Sequence, residues 1–87
     1  MSTGTEVSFQ EQMKSAEEAF ENKKFEETIE ILNKARKNLP EETPDTEVER
    51  IHYTLGFCFN ELDKPTEANP HLKKALRLAE KNEHERT

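Results

Sequence analysis

The side chains best suited to nucleophilic or metal chemistry in this sequence are one cysteine, Cys58, and three histidines, His52, His71 and His84. A nucleophilic cysteine needs a base beside it, but His52 precedes Cys58 by six residues and therefore lies on a different face of one helix. His71 and His84 each follow a glutamate by four residues. One imidazole and one carboxylate are too few for a metal site, which needs three or four ligands. We expect a buried Cys58, His71 and His84 on solvated helix faces, and no metal.

Acidic residues are concentrated in the middle of the chain, where residues 41–64 carry a net charge of −5 against −6 for the whole sequence. The run contains Glu41, Glu42, Asp45, Glu47 and Glu49. It lacks the glycine and the ligand spacing of a calcium loop, so we interpret it as a solvated acidic segment. Its charge repels phosphate backbones, and we expect no nucleic-acid partner.

Composition indicates one small domain without catalytic machinery. The 87 residues are 31% hydrophobic and 37% charged, with only two glycines. The sequence has no glycine-rich phosphate loop and no supported Cys–His or Ser–His pair, so we expect no enzyme activity and no cofactor. Its apolar runs are too short to cross a bilayer, and we expect no membrane contact. The single cysteine favours a reducing compartment, the cytoplasm.

Four stripes of apolar residues at helical spacing position these side chains and predict an all-α fold. The predicted helices cover residues 9–22, 25–39, 47–62 and 65–82. Ser8 and Glu11 have the spacing of a capping box, and so do Thr46 and Glu49, although Asp45 is an alternative cap. Pro70 lies inside the fourth helix, where we expect a kink and not an end.

The predicted organisation is one two-repeat domain over residues 8–82. Its parts are a first repeat over 8–40, an acidic loop over 40–46 and a second repeat over 47–82. We interpret residues 1–7 as a disordered tail and residues 83–87 as a frayed one.

The two halves of the chain match at a constant offset of 40 residues, which indicates a duplicated helical unit. The matching pairs are Ala16 and Gly56, Thr28 and Ala68, Leu32 and Leu72, and Ala35 and Ala75. The wider pattern is Leu55, Gly56, Phe59, Ala68, Leu72 and Ala75 in the second half, and Ala16, Phe20, Phe25, Thr28, Leu32, Ala35 and Pro40 in the first. These residues at these spacings resemble the tetratricopeptide repeat (TPR), in which small residues let the helices approach and large ones fill the gaps.

The resemblance implies a short α-solenoid of two stacked antiparallel helix pairs that acts as an adaptor or scaffold. The sequence differs from the family pattern in three ways. Its repeat period is 40 residues, whereas that of the family is about 34. His52 stands where a tryptophan is common, and Glu80 stands where a proline is common. The first helix of each pair would line a groove for a peptide or helix of a partner protein. By register, that groove holds Met13, Glu17 and Phe20 in the first repeat, and Arg50, Tyr53, Phe57 and Asn60 in the second. One branch of the family binds the C-terminal carboxylate of heat-shock chaperones with lysine, asparagine and arginine side chains. We expect no such binding here, because Glu17 would repel a carboxylate.

Tyr53 and Phe57 lie one turn apart, away from the predicted core stripe, and two interpretations stay open. They either contact a partner in the groove or pack against a neighbouring helix. The acidic centre favours a partner that is apolar with a basic flank. The alternative is a unit that associates with itself as a homodimer, because solenoids usually need three or more repeats.

Overall fold

A computed structural model describes residues 8–86, with side chains described through Glu83. The described residues form four helices and no strand, which confirms the all-α prediction. The helices are α1 (Phe9–Glu21), α2 (Phe25–Lys37), α3 (Asp45–Glu61) and α4 (Pro65–Arg86). The predicted tail over residues 1–7 lies outside the described part of the chain.

The chain divides into two compact units, one ending at Pro40 and the other beginning at Glu41. In the first unit α1 packs on α2, and in the second α3 packs on α4. Each pair is joined by only three residues, so the two helices of a pair run antiparallel. The expected pair of helical hairpins is therefore confirmed.

The start of α1 follows the sequence, whereas the start of α3 does not. Ser8 Oγ accepts a hydrogen bond from the N–H of Glu11 at 3.1 Å, and the Glu11 carboxylate accepts one from the N–H of Ser8 at 3.3 Å. The expected capping box at Thr46 is wrong, because α3 already begins at Asp45 after Pro44. Pro44 is extended, and its carbonyl accepts the first helical N–H groups. The helix thus begins without a side-chain cap, two residues earlier than predicted.

The end of α4 is also different from the prediction. The helix continues through Pro70 as expected, while a bend there stays a prediction. It runs to Arg86 instead of ending at residue 82, so residues 83–86 are helical. No proline or glycine follows Pro70. The last turns are also held to α3, because Lys81 Nζ lies 2.9 Å from Asp45 Oδ2 and Asn82 donates to Glu49 Oε1 at 3.0 Å.

The turn inside each hairpin repeats the same backbone geometry 40 residues later. Lys23 and Asp63 both adopt left-handed backbone conformations, with φ of 61° and 63°. Each turn closes with two reverse hydrogen bonds of the Schellman type. The bonds are Lys23 N–H to Phe20 O and Lys24 N–H to Ala19 O in the first turn, and Asp63 N–H to Asn60 O and Lys64 N–H to Phe59 O in the second. The duplication seen in the sequence is therefore also present in the backbone.

The small residues of the repeat are buried at matching positions in the two units. The buried set is Ala16, Thr28 and Ala35 in the first unit, and Gly56, Ala68 and Ala75 in the second; the larger Leu32 and Leu55 are buried as well. Phe25, Phe59 and Leu72 are half-buried. The Thr28 hydroxyl donates to Lys24 O at 2.8 Å, so this buried side chain has a hydrogen-bond partner.

The apolar spacing of the fourth helix predicts an inner stripe of Ala68, Leu72, Ala75, Leu76 and Ala79, and one of these residues lies outside it. Leu76 is 61% exposed, whereas Leu72, Leu78 and Ala79 are half-buried. Ala68 and Ala75 define the side of α4 that faces inward, since both are buried and lie two turns apart. Leu76 follows Ala75 by one residue and is therefore turned about 100° away from it.

Candidate interaction surface

The outer face of α3 lies opposite the side of this helix that forms the core. Ile51, Leu55 and Cys58 are fully buried. The outer face carries Arg50, Tyr53, Phe57 and Asn60 at steps of three and four residues, the spacing of one helical stripe. We call these four residues the α3 outer face. It is the part of the second unit that the sequence assigned to partner binding.

The two aromatic residues of the α3 outer face differ in exposure. Tyr53 is 58% exposed, whereas Phe57 is half-buried. An exposed tyrosine combines apolar area with a hydroxyl that can hydrogen-bond, which suits a contact surface. Tyr53 is thus the more accessible of the two side chains, and Phe57 lies one turn further along the helix.

The charges beside this face are mostly negative. Arg50 Nη1 lies 4.0 Å from Glu47 Oε2, so its cation is shared with a carboxylate on the same helix. Glu61 is exposed in the last turn of α3, and Glu49 lies one residue before Arg50. The local field therefore favours cationic groups in whatever approaches Tyr53.

The corresponding face of α1 belongs to the first unit and is more closely packed. Glu17 is exposed, while Met13 and Phe20 are half-buried. The Phe20 ring meets the Phe25 ring of α2 edge to face, with centroids 6.1 Å apart and planes at 72°. Phe20 thus contributes to the packing of its own hairpin, and its place in a binding groove stays a prediction.

Cys58 is fully buried in α3, as expected from the sequence. Burial, and secondarily the carboxylate of Glu61, raises the pKa of the Cys58 thiol to about 11. The thiolate is the reactive form of cysteine, so at neutral pH this side chain is a small apolar group and not a nucleophile.

The expectation that His71 lies on a solvated face is wrong. His52 of α3 is only 8% exposed, and its Nδ1 lies 2.9 Å from Nδ1 of His71 on α4, which is half-buried. His71 also lies against Phe59, with the two ring planes 9° apart and centroids at 5.8 Å. Sequence reasoning missed this pair because its members are 19 residues apart on different helices.

The histidine pair has too few neighbours to be a metal centre. Among the described side chains, no group of three or more histidine, cysteine, aspartate or glutamate residues could hold a metal ion. No helix in residues 8–86 is both long enough and apolar enough to cross a membrane.

Comparisons of the chain with protein-family models, with curated proteins and with solved structures found no match.

Proposed function

We propose that this chain is a TPR-like protein-interaction module that binds a peptide or helix of a partner protein through the α3 outer face. The observation that carries the proposal is Tyr53, a large aromatic residue that is 58% exposed on a helix whose other side is fully buried. Partly apolar residues at steps of three and four along an exposed helix suit an amphipathic helix or an extended peptide. The repeated turns and small residues support the TPR-like assignment.

The partner chemistry follows from the charges on the second unit. Glu49 lies one turn before Tyr53 on α3, and Glu61 lies one turn after Phe57. An apolar anchor with lysine or arginine beside it would satisfy both the aromatic side chains and these carboxylates. Because exposed charges are screened by salt, binding should weaken as ionic strength rises. We place the interaction in the cytoplasm, where a lone buried thiol stays reduced.

The experiment is a selection of random peptides against the full chain, followed by affinity measurements with the selected sequences. We expect aromatic or aliphatic anchors flanked by lysine or arginine, with affinity that falls several-fold between low and high salt. Tyr53→Ala should weaken binding at least tenfold, as expected for a central aromatic contact. Tyr53→Ala with Phe57→Ala should abolish it.

Leu76→Ala is the matched control, because it removes another exposed large side chain from the opposite helix of the same unit. It should leave peptide affinity unchanged. Equal affinity of the wild type and the Tyr53→Ala, Phe57→Ala double variant, with both chains folded by circular dichroism, would exclude this face as the binding site.

Self-association is the second candidate, and the exposure of Leu76 favours it. An exposed leucine on α4 offers apolar area to a second copy of the chain. A dilution series monitored by light scattering distinguishes the two functions. Dimers that dissociate on Leu76→Lys but persist in Tyr53→Ala would favour self-association through α4. A chain that stays monomeric at high concentration would exclude this alternative.

A further inference from the structure

His52 and His71 link α3 to α4 through a hydrogen bond that depends on how many protons the pair carries. The two Nδ1 atoms are 2.9 Å apart, the ring planes differ by 26° and the ring centroids are 5.2 Å apart. These values describe two rings that meet nearly edge to edge, so one Nδ1 donates and the other accepts. The contact therefore requires one Nδ1 with a proton and one without.

One added proton is compatible with this geometry, and a second is not. When one imidazole becomes cationic, its N–H donates a charge-assisted hydrogen bond to the bare nitrogen of the other ring. When both rings are cationic, both Nδ1 atoms carry hydrogen, no acceptor is left, and two like charges face each other at the same short distance. Partial burial of the pair adds to the cost of the second charge.

The surroundings favour His71 as the ring that becomes cationic. His52 is 8% exposed, whereas His71 is more accessible and lies parallel to the Phe59 ring with centroids 5.8 Å apart. A charge costs less on the more accessible ring, because burial disfavours the charged form of an imidazole. His52 is then the neutral acceptor.

Ionisable side chains lie one turn away from the pair along both helices, where their charges bear on its protonation. Glu49 precedes His52 by three residues on α3, and Glu67 precedes His71 by four residues on α4. Lys74 follows His71 by three residues. The two carboxylates favour the first proton, and Lys74 opposes the second, so these groups widen the difference between the two protonation steps.

We propose that the His52–His71 pair is a pH-sensitive latch between α3 and α4, closed with none or one added proton and opened by the second. Opening frees the interior side of the second hairpin at the level of His52. The latch is a feature of the second unit alone, since the first unit has no histidine.

The expected pH dependence follows from counting protons in the folded and unfolded chains. Below about pH 6.5 the unfolded chain binds a proton on each histidine. The folded chain holds one proton on the pair, so unfolding takes up one more. The unfolding equilibrium constant should therefore rise up to about tenfold for each pH unit below about 6.5, until the second proton binds. Between about pH 7.5 and 6.5 stability should hold or rise slightly, because the first proton strengthens the bond.

The experiment compares urea unfolding of the wild type and His71→Asn at pH 7.5 and pH 5.0. An asparagine places its amide near the former Nδ1 and can present either its oxygen or its nitrogen to His52. The contact can therefore form whether His52 is neutral or cationic. We expect the acid-induced rise in the unfolding constant to be at least about tenfold larger in the wild type. His84→Asn, which leaves the pair intact, should behave like the wild type.

Nuclear magnetic resonance of the wild-type histidines gives an independent readout, which decides the matter if His71→Asn does not fold. At pH 5.5 the folded chain should show one cationic and one neutral imidazole, with His71 the cationic one. Two fully cationic imidazoles in a chain that is still folded at pH 5.5 would overturn the proposal. Parallel pH dependences of the wild type and His71→Asn would overturn it as well.

Discussion

Substitution of Gly56 tests whether close approach of α3 to α4 depends on the missing side chain. Gly56 is buried in α3, and a Cβ placed there would lie 2.5 Å from both Cγ and Cδ2 of Leu72 on α4. The same Cβ would lie 3.3 Å from the backbone oxygen of Ala68. The Leu72 side chain can rotate, but the Ala68 carbonyl moves only if α4 moves. Any side chain at this position therefore pushes the two helices apart.

The magnitude follows from two opposing effects. Carbon atoms normally approach to about 3.5–4.0 Å, so a methyl group at Gly56 overlaps Leu72 by about 1 Å. Overpacking of this kind costs about 1–3 kcal/mol, while alanine in place of a helical glycine gains about 1 kcal/mol. Gly56→Ala should thus lose about 0–2 kcal/mol, and Gly56→Leu about 3 kcal/mol or more. At about 4–8 °C for each kcal/mol, Gly56→Leu should lower the melting temperature by more than about 12 °C or prevent folding.

Thermal melting followed by circular dichroism is the assay, and a double variant identifies the cause. Leu72→Ala removes the Cγ and Cδ2 atoms that the new Cβ would meet. Gly56→Ala with Leu72→Ala should therefore cost about 1 kcal/mol less than the sum of the two single changes. Glu83→Leu, at an exposed position of α4, should change stability by no more than about 0.5 kcal/mol. Equal melting temperatures for the wild type and Gly56→Leu, or strict additivity of the two alanine changes, would refute the close-packing argument.

Two further predictions concern backbone strain and the buried thiol. Lys23→Gly and Asp63→Gly should each stabilise the chain by about 1 kcal/mol in urea unfolding, because both positions have positive φ. Glycine at Asn22, where φ is −87°, should not stabilise it. Cys58 should react slowly with iodoacetamide in the folded chain and rapidly in urea. Because the unfolded thiol loses its proton near pH 9 and the folded thiol near 11, stability should fall by about 2–3 kcal/mol as pH rises through that window. Cys58→Ala should lack this component, and an identical alkaline loss in Cys58→Ala would contradict it.

Several features of the fold could be predicted because they depend on residues close together in the chain. The capping box of α1 joins Ser8 to Glu11, three positions apart. The apolar stripes have helical spacing, and the 40-residue offset places equivalent turns at Lys23 and Asp63. Buried Cys58 could be predicted from its place beside Gly56 and Phe59 on one helix and from the usual behaviour of a free cysteine as a small apolar residue.

The prediction was weakest where a helix end depends on contacts with another helix. At its start, α3 uses the carbonyl of Pro44 and not the Thr46 side chain. At its end, α4 is extended by the contact of Asn82 with Glu49, which no local signal reveals. The residue at which a helix begins or ends depends on competing caps whose free energies differ by about 1 kcal/mol. A tertiary contact of similar strength therefore decides between them.

By itself, the sequence determined that this chain makes four helices in two similar hairpins, because capping, periodicity and turn chemistry operate within a few residues. Only the tertiary structure decided which residues at the margins of each inner side meet the partner helix. The packing of α4 on α3 leaves Leu76 exposed beside buried Ala75, and it brings His71 to within 2.9 Å of His52, 19 positions earlier in the chain. These details are set by how small and large side chains fit between two helices. A pattern read along one helix contains no information about the other.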